Sequence, residues 1–381
     1  MAEALVTPKI LRWARERAGL SVEGLAEKLK VDTTRIVAWE KGEDRPTFRQ
    51  AEKFAVVAHI PFGYLFLRAP PEEKLPIPDL RSMAGRPEQP FSAGFLDLLR
   101  DVLYQQGWFR EYLIEQGARP LPFVGHFAAG TPLKKVAKDI RAVLDLDGEE
   151  TDKADWKQRL TFLSDQCEKA GIWVMRTGIV GNNTHRTLDV SDFRGFSIVD
   201  TVAPLIVINT RDAEAAQAFT LMHEVAHIWL GQSGISDPNL GRKGQEDSKI
   251  ERQCDRIAAE VLVPEHMFLE CWSDDKDVAA NSILLSKRFR VSKIVIARRA
   301  LEFKKISWDT YWEYYNNERL LWTKKPSRDG NFYNTTPARF GKRFLGAVLS
   351  RAMSGDLLLR DAAELLHVKP ATVRKCYNNL G

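Results

Sequence analysis

Apolar residues recur every three to four positions along the first seventy residues, and this spacing predicts a bundle of short helices. Four segments show the pattern, and Thr or Gly marks several of their ends. They are LRWARERAG, VEGLAEKL, TTRIVAWEKG and FRQAEKFAVVA. Because only the turn KVD separates the second segment from the third, the pattern has the outline of a helix-turn-helix.

The pattern changes twice after this bundle. The segment RAPPEEKLPIPDLRSMAGRPEQP is too rich in proline to sustain a helix, so we interpret it as a boundary. Amphipathic helices are then predicted from Phe91 to about Gly117 and from roughly Leu133 to Ala170. Three short runs that follow are typical of the strands of a small sheet: IWVMRTG, FRGFSIVD and PLIVINT.

The next predicted helix, AFTLMHEVAHIWLGQ, is apolar except for a few groups that include two histidines and a glutamate. Burying such groups without partners would cost much of a domain's spare stability. His223 and His227 are four positions apart, so they share a helix face and their imidazoles can bind one metal ion. Glu224 adjoins the first histidine and is placed to act as a general base on a metal-activated water.

A catalytic zinc site needs a third protein ligand. The metzincin class is excluded, because Leu230 and Ser233 stand where that class has Gly and His. The remaining source is a carboxylate from a second helix, SKIERQCDRIAAEVLVP, which must end before Pro264. Helical spacing places Glu251 and Asp255 together at the edge of its apolar stripe.

These two segments resemble the gluzincin pattern, in which H-E-x-x-H is followed by E-x-x-x-D. The resemblance implies that Glu251 is the third metal ligand. It also implies that Asp255 accepts a hydrogen bond from a ligand histidine and so fixes its tautomer. The alternative is an ordinary exposed acidic pair on an amphipathic helix, which the upstream motif disfavours.

From about Leu133 to Leu301 the sequence resembles the ImmA/IrrE family of metallopeptidases. The resemblance is carried by FTLMHEVAHIWLG and IERQCDRIAAEVLVPEHMF. Cys254 and Ile257 replace the usual Ala and Phe, which changes packing more than chemistry. The resemblance implies a Zn²⁺-dependent endopeptidase that cleaves a repressor or other regulatory protein encoded nearby, in response to stress, DNA damage or a mobile element.

The N-terminal segment resembles the Cro/C1-type (Xre-like) helix-turn-helix family. The matching positions are Leu25, Ala26, Leu29, Val31, Ile36, Trp39, Glu40, Gly42 and Pro46. Lys30 occupies a turn position usually held by Gly, and Val22 one often held by a DNA-contacting Gln. The resemblance implies DNA binding, with Thr33, Thr34 and Arg35 as the candidate contacts. The alternative is a helical module that forms a homodimer or holds a protein partner.

Composition narrows the class of protein. A chain of 381 residues with 44% hydrophobic and 28% charged residues is typical of a folded protein of two to four domains. No segment has the length and apolarity of a membrane span, and the N-terminus lacks the pattern of a secretory signal, so we expect a cytoplasmic protein with no membrane partner. The four cysteines form no C-x-x-C pair, which argues against a disulfide framework and a thiolate zinc cage.

Charge is distributed unevenly, with net values of +3, −10 and +12 over residues 1–70, 71–286 and 287–381. The basic region holds two further helix-turn-helix outlines, SKRFRVSKIVIARRALEFKKI and LLLRDAAELLHVKPATVRKCYNNL. In the resembling family a segment like the first packs against the peptidase helices, and we expect the same here. The second outline offers three candidate nucleic-acid contacts, Lys369, Arg374 and Lys375. Its alternative role is a helical cap that closes the peptidase.

The sequence therefore predicts a mainly helical α+β fold. The predicted segments are a helix-turn-helix bundle at 1–70, a Pro-rich linker and helical connector at 71–132, a gluzincin-like zinc peptidase domain with a small sheet at 133–306, and a basic helical region at 307–381. The predicted activity is zinc-dependent cleavage of a regulatory protein. The alternative is a DNA-binding regulator or antitoxin that keeps the peptidase fold as a scaffold.

Overall fold

The structure is a computed structural model that describes residues 2–72, 75, 77–78, 91–147, 156–236, 249–320 and 332–380. These residues form a mainly helical α+β fold with a small mixed sheet, which confirms the predicted class. The chain divides into two compact units, one of residues 1–76 and 90–100 and one of residues 77–89 and 101–381. Most of the predicted Pro-rich linker lies outside the described residues. Within the described residues, no helix has both the length and the apolarity needed to cross a membrane.

The first unit is a bundle of short helices. They are α1 (Pro8–Arg17), α2 (Val22–Leu29), α3 (Thr33–Lys41), α4 (Phe48–Val57) and a 3₁₀ helix (Phe62–Phe66). Side-chain caps set two of the starts: Ser21 accepts a hydrogen bond from the N–H of Gly24, and Thr47 forms a capping box with Gln50. Trp39 and Ile36 of α3 are buried in the core of this unit.

The turn between α2 and α3 is made by Lys30 in the left-handed conformation, with φ of 59°. This is the position where the resembling family usually has Gly, and an L-residue pays a steric cost there. The side chain of Lys30 is exposed. The turn of this helix-turn-helix therefore forms with Lys30, rather than Gly, in the left-handed conformation.

The second unit holds the remaining elements in chain order. Helix α5 (Ala93–Glu115) begins in the first unit and continues into the second. The elements that follow are α6 (Leu133–Val143), α7 (Trp156–Ala170), β1 (Trp173–Thr177), β2 (Ile179–Val180), β3 (Asn183–Thr187), β4 (Gly195–Ile198), β5 (Leu205–Asn209), α8 (Glu214–Trp229), β6 (Gly234–Ser236), α9 (Lys249–Leu262), α10 (Glu265–Cys271), α11 (Val278–Phe289), α12 (Lys293–Glu302), α13 (Trp308–Leu320), α14 (Phe332–Phe340), α15 (Lys342–Ser354), α16 (Leu359–Leu365) and α17 (Pro370–Leu380).

The four-stranded sheet has the order β1-β5-β4-β6. Strand β1 is parallel to β5, whereas β4 is antiparallel to both β5 and β6. Every residue of β5, LIVIN, is buried, as expected for a central strand that is covered on both faces. The three predicted strands are observed as β1, β4 and β5. The hairpin β2–β3 and the strand β6 were not predicted, because they are very short or polar in sequence.

Helix α8 packs against β4, β5 and α9 in the main core. It is buried continuously from Gln217 to Trp229, which explains why its sequence is apolar on all sides. The indole of Trp229 donates a 2.7 Å hydrogen bond to Asp139 of α6. The helix is therefore held on several sides, and its polar side chains are fixed in place.

The C-terminal helices are attached to the sheet through the start of α15. Glu168 of α7 accepts hydrogen bonds from the N–H groups of Lys342 and Arg343, at 2.9 and 3.2 Å, and so satisfies the free end of α15. Trp173 of β1 stacks on Phe344 with centroids 4.4 Å apart and donates a hydrogen bond to the Phe340 carbonyl at 2.6 Å. Helices α14 and α15 therefore pack against the edge of the sheet at β1.

Candidate metal centre

Two histidines and a glutamate are completely buried on the otherwise mainly apolar helix α8. His223, Glu224 and His227 are each 0% exposed. The two histidines are one helical turn apart, and their Nε2 atoms approach to 3.0 Å. The spacing that predicted a shared ligand position therefore brings the two imidazoles together.

Helix α9 brings a carboxylate to the same point. The Glu251 oxygens lie 3.3 Å from the Nε2 of His223 and 3.1 Å from the Nε2 of His227. The apolar stripe of α9 packs against α8, and Glu251 lies at the edge of that stripe. Its side chain is 9% exposed and that of Asp255 is 18% exposed, so this edge is where the centre approaches solvent.

Asp255 holds the first histidine. Its Oδ1 lies 2.8 Å from the Nδ1 of His223, so the ring donates its Nδ1 proton to the carboxylate and turns its Nε2 toward the other ligand atoms. Burial alone would lower the pKa of His223, but the hydrogen bonds to Asp255 and Glu251 raise it well above its usual value. Burial opposes ionisation of Glu251 as well, yet the two histidines hold its pKa well below the usual range.

The three donors fit a divalent metal ion. A tetrahedral zinc with bonds of about 2.0–2.1 Å separates its ligand atoms by about 3.3 Å. The observed separations are 3.0, 3.1 and 3.3 Å. Two imidazole lone pairs this close repel each other unless a proton or a cation lies between them, and a carboxylate at the same point favours the cation. His223, His227 and Glu251 are also the cluster of the described residues whose ligand atoms all lie within 4.8 Å of one another.

This geometry lies within a segment of known family. Residues 167–301 match the IrrE N-terminal-like domain, a peptidase family. Residues 11–65 match a helix-turn-helix family, and residues 340–379 match a domain of unknown function (DUF8813). The first two matches confirm the resemblance to ImmA/IrrE proteins and to the helix-turn-helix, over those residues. No curated protein matches the chain. We call residues 167–301 the IrrE-like domain.

Glu224 lies in the IrrE-like domain but outside the three-donor cluster. Burial raises the pKa of its carboxyl group, and the two histidines and the Ser197 hydroxyl partly oppose this. The backbone of Gly195 lies against it: a Cβ placed there would be 3.1 Å from the Glu224 Oε1 and 2.6 Å from the Cγ2 of Thr220. Strand β4 can therefore approach α8 closely only with glycine at this position.

Gly195 and Ser197 are the neighbours of Glu224 that sequence reasoning missed. They are two residues apart in the strand FRGFSIVD, so they point to the same face of the sheet. Because strand side chains alternate between the two faces, the sequence could have indicated that Gly195 and Ser197 face α8, provided that β4 was known to pack against α8. Cys254, by contrast, is buried in the apolar core, where burial raises the pKa of its thiol well above the usual value. It acts as a packing residue.

The candidate nucleic-acid contacts of the first unit differ from one another. Thr33 and Thr34 are exposed at the start of α3. Arg35 is turned back on its own unit, with its guanidinium 5.3 Å from the Trp39 ring centroid and 3.4 Å from Asp44. Trp39 and Asp44 therefore compete with any phosphate for this cation.

The candidate contacts at the C-terminus lie in or just before α17. Lys369, Arg374 and Lys375 are all exposed. The turn before them is covered, because Asn182 of the β2–β3 connection donates hydrogen bonds to the carbonyls of Leu366 and His367, each at 2.8 Å. The three cations therefore lie on α17 or just before it, and the turn that precedes this helix is attached to the IrrE-like domain.

Proposed function

We propose that this protein is a cytoplasmic zinc-dependent endopeptidase that cleaves a regulatory protein and uses its helix-turn-helix to bind DNA. The observation that carries the proposal is the juxtaposition in the IrrE-like domain of a three-donor cluster and a separate buried carboxylate, Glu224. A site that only stabilised the fold would need the donors but not the additional acid.

In this proposal His223, His227 and Glu251 hold the metal ion. When bound, zinc supplies Lewis-acid chemistry, which makes water more acidic and polarises a carbonyl. Asp255 fixes the ring of His223 through its Nδ1, so the Nε2 lone pair stays directed at the cluster. The close approach of the donors is thus set before substrate arrives, and little reorganisation is needed.

Glu224 moves the proton. A carboxylate oxygen of Glu224 takes a proton from the attacking water as the new C–O bond forms at the peptide carbonyl. The same oxygen then gives that proton to the amide nitrogen as the C–N bond breaks, so the amine leaves neutral and Glu224 returns to its starting state. The surrounding low-dielectric core strengthens these charge interactions, since His223, Glu224 and His227 are all buried.

The substrate we propose is a repressor or other regulator encoded nearby, cleaved in response to stress, DNA damage or a mobile element. The helix-turn-helix match at residues 11–65 and the exposed start of α3 support a role near DNA. A homodimer formed through this unit would present two such helices, as helix-turn-helix proteins commonly do on operators.

A second candidate is a DNA-binding regulator whose peptidase fold serves as a scaffold. The observation that favours it is the complete burial of His223, Glu224 and His227, which leaves only the Glu251–Asp255 edge near solvent among the described parts of the centre. Both candidates bind metal, but only the first cleaves protein.

Metal analysis combined with a cleavage assay separates them. We expect the purified protein to contain one zinc per chain by elemental mass spectrometry and to cut a nearby-encoded repressor. Replacing Glu224→Gln should keep the zinc and lower the cleavage rate by about 10²- to 10⁴-fold, the usual contribution of a general base. The matched control is Glu270→Gln, at an exposed carboxylate of α10, which should change neither. Full metal content with no cleavage of any repressor by wild type would favour the scaffold, and cleavage by Glu224→Gln would exclude the mechanism.

A further inference from the structure

A cavity of about 410 Å³ lies beside the N-terminal half of α8. Helix α8 contributes Ala216, Phe219 and Thr220 to its wall, and α12 contributes Ile294 and Val295. At about 30 Å³ per water, the volume corresponds to roughly a dozen waters, which is enough for a bulky side chain and part of its backbone. Nothing in the proposed chemistry uses this space.

The cavity and the candidate centre share a wall. Thr220 precedes Glu224 by one turn on the same face of α8, a separation of about 6 Å. Both side chains also lie against the Gly195 backbone of β4. An extended peptide advances about 3.3 Å per residue, so this wall is one or two residues away from a peptide bond held at Glu224.

The lining favours an apolar guest. Much of the wall is aliphatic or aromatic, and four of the five charged side chains in its lining form two ion pairs, while the fifth, Lys287, is exposed. Arg194 lies 2.8 Å from Asp212, and Lys293 lies 3.0 Å from Glu318. A charged guest would have to leave water beside charges that are already paired or, at Lys287, solvated, whereas an apolar guest gains about 25 cal/mol for each Å² it buries.

We propose that this cavity receives a bulky apolar side chain of the substrate, one or two residues from the bond that is cleaved. It thereby selects Leu, Ile, Met or Phe over small or charged residues at that position. The position of the bound side chain, one or two residues from the cleaved bond, rests on the proposed peptidase function. The cavity's preference for apolar peptide side chains can be measured without cleavage.

Binding to the inactive protein gives the first test. The probes are fluorescein-labelled synthetic peptide mixtures with Leu, Phe, Gly or Asp fixed at one central position and random flanks, and the readout is fluorescence anisotropy with the Glu224→Gln protein. The Leu and Phe mixtures should bind at least tenfold more tightly than the Gly and Asp mixtures. Adding Ala216→Phe, which fills the cavity from α8, should remove that difference while leaving the binding of the Gly mixture unchanged.

Two further variants guard against misfolding. Ala371→Phe adds the same ring at an exposed position of α17 and should keep the full preference. Tyr315→Ala removes a ring from the cavity wall without filling the space, and it should weaken the Phe mixture severalfold more than the Gly mixture. Equal binding of all four mixtures, or a preference that survives Ala216→Phe, overturns the proposal.

Cleavage of the same mixtures by wild type separates this inference from the proposed function. If peptides are cut with no preference near the cleaved bond, the peptidase stands and the cavity assignment fails. If neither the peptides nor the nearby-encoded repressor is cut, but the Leu and Phe mixtures bind in a way that Ala216→Phe abolishes, the cavity is a peptide site and the peptidase proposal fails.

Discussion

Two of the helix-turn-helix segments of the described residues, α2–α3 in the first unit and α16–α17 in the second, have similar local geometry but different surroundings. Each uses a non-glycine residue in the left-handed conformation at its turn, Lys30 with φ of 59° and His367 with φ of 49°. Lys30 is exposed, whereas His367 contacts Asp101 at 3.2 Å, and a Cβ on Gly181 would lie 3.3 Å from its ring. The same outline therefore occurs once with an exposed turn and once with a covered turn.

The difference matters for nucleic-acid binding. In a helix-turn-helix the N-terminal residues of the second helix contact base edges, so the turn before them lies near the DNA. The turn at Lys30 is exposed to solvent, but the turn at His367 is occupied by the β2–β3 connection and by α5. We therefore propose that α3 contacts DNA and that α16–α17 has the structural role of the helical-cap alternative. The contacts proposed for Lys369, Arg374 and Lys375 remain a prediction.

The largest expected effect comes from releasing the covered turn. Replacing Asn182→Ala removes the two donors to the partly buried carbonyls of Leu366 and His367, and each such hydrogen bond contributes about 0.5–1.5 kcal/mol. The Asn182 Oδ1 also accepts a hydrogen bond from Arg339. We expect the free energy of unfolding of the second unit to fall by about 1–3 kcal/mol, measured by thermal or urea unfolding.

The control for this variant is Asn378→Ala, at an exposed amide of α17. It should leave stability within about 0.5 kcal/mol of wild type. An Asn182→Ala protein as stable as Asn378→Ala would mean that the turn is not held by these bonds, and the contrast between the two segments would fail.

The next effect is on DNA affinity. Adding a negative charge at the start of α3 with Thr34→Glu should weaken binding of a random-sequence DNA duplex by at least about tenfold at low salt, because the carboxylate repels phosphate. Replacing Lys369, Arg374 and Lys375 together by Ala should weaken it by less than about threefold and leave the salt dependence nearly unchanged. If the triple variant instead lowers the slope of log affinity against log salt by about 0.9 for each charge removed, α17 contacts phosphate.

The smallest effect compares the two turns directly. Lys30→Gly removes the steric strain of an L-residue in the left-handed conformation and changes few other contacts. It should stabilise the first unit by about 0.5–1 kcal/mol. His367→Gly gains the same relief but loses the contacts with Asp101 and Gly181, so its net effect should be near zero or destabilising. Denaturant unfolding of both variants measures this, and equal stabilisation would contradict the assignment.

Much of the candidate site could be predicted because its signals are local. Spacing alone placed His223 and His227 on one face, and the apolar character of α8 required partners for them. The strands β2 and β6 escaped because they have two and three residues, and β3 because NTHRT is polar. The covered turn at His367 depends on Asn182, 185 positions away in the chain, which no local pattern encodes.

The direction of individual side chains could not be predicted from the sequence pattern either. Arg35 is in the expected position on α3, but its guanidinium lies against Trp39 and Asp44 rather than extending outward. The competition between an aromatic face, a carboxylate and solvent is settled by rotamers, which the sequence does not specify. The cavity beside α8 could not be predicted either, because it forms between helices that are far apart in the chain.

The attachment of α14 and α15 to β1 sets the smallest fragment that can be studied. Strand β1 is an edge of the sheet, and Trp173 is 0% exposed because Phe109 of α5 and residues beyond position 339 pack against it. A fragment trimmed to the family match at 167–301 would begin inside α7 and expose Trp173 and the edge strand β1. An exposed edge strand can pair with a strand of another molecule, so we expect such a fragment to aggregate. A fragment that contains the IrrE-like domain should therefore retain α5 and α6 as well as the C-terminal helices.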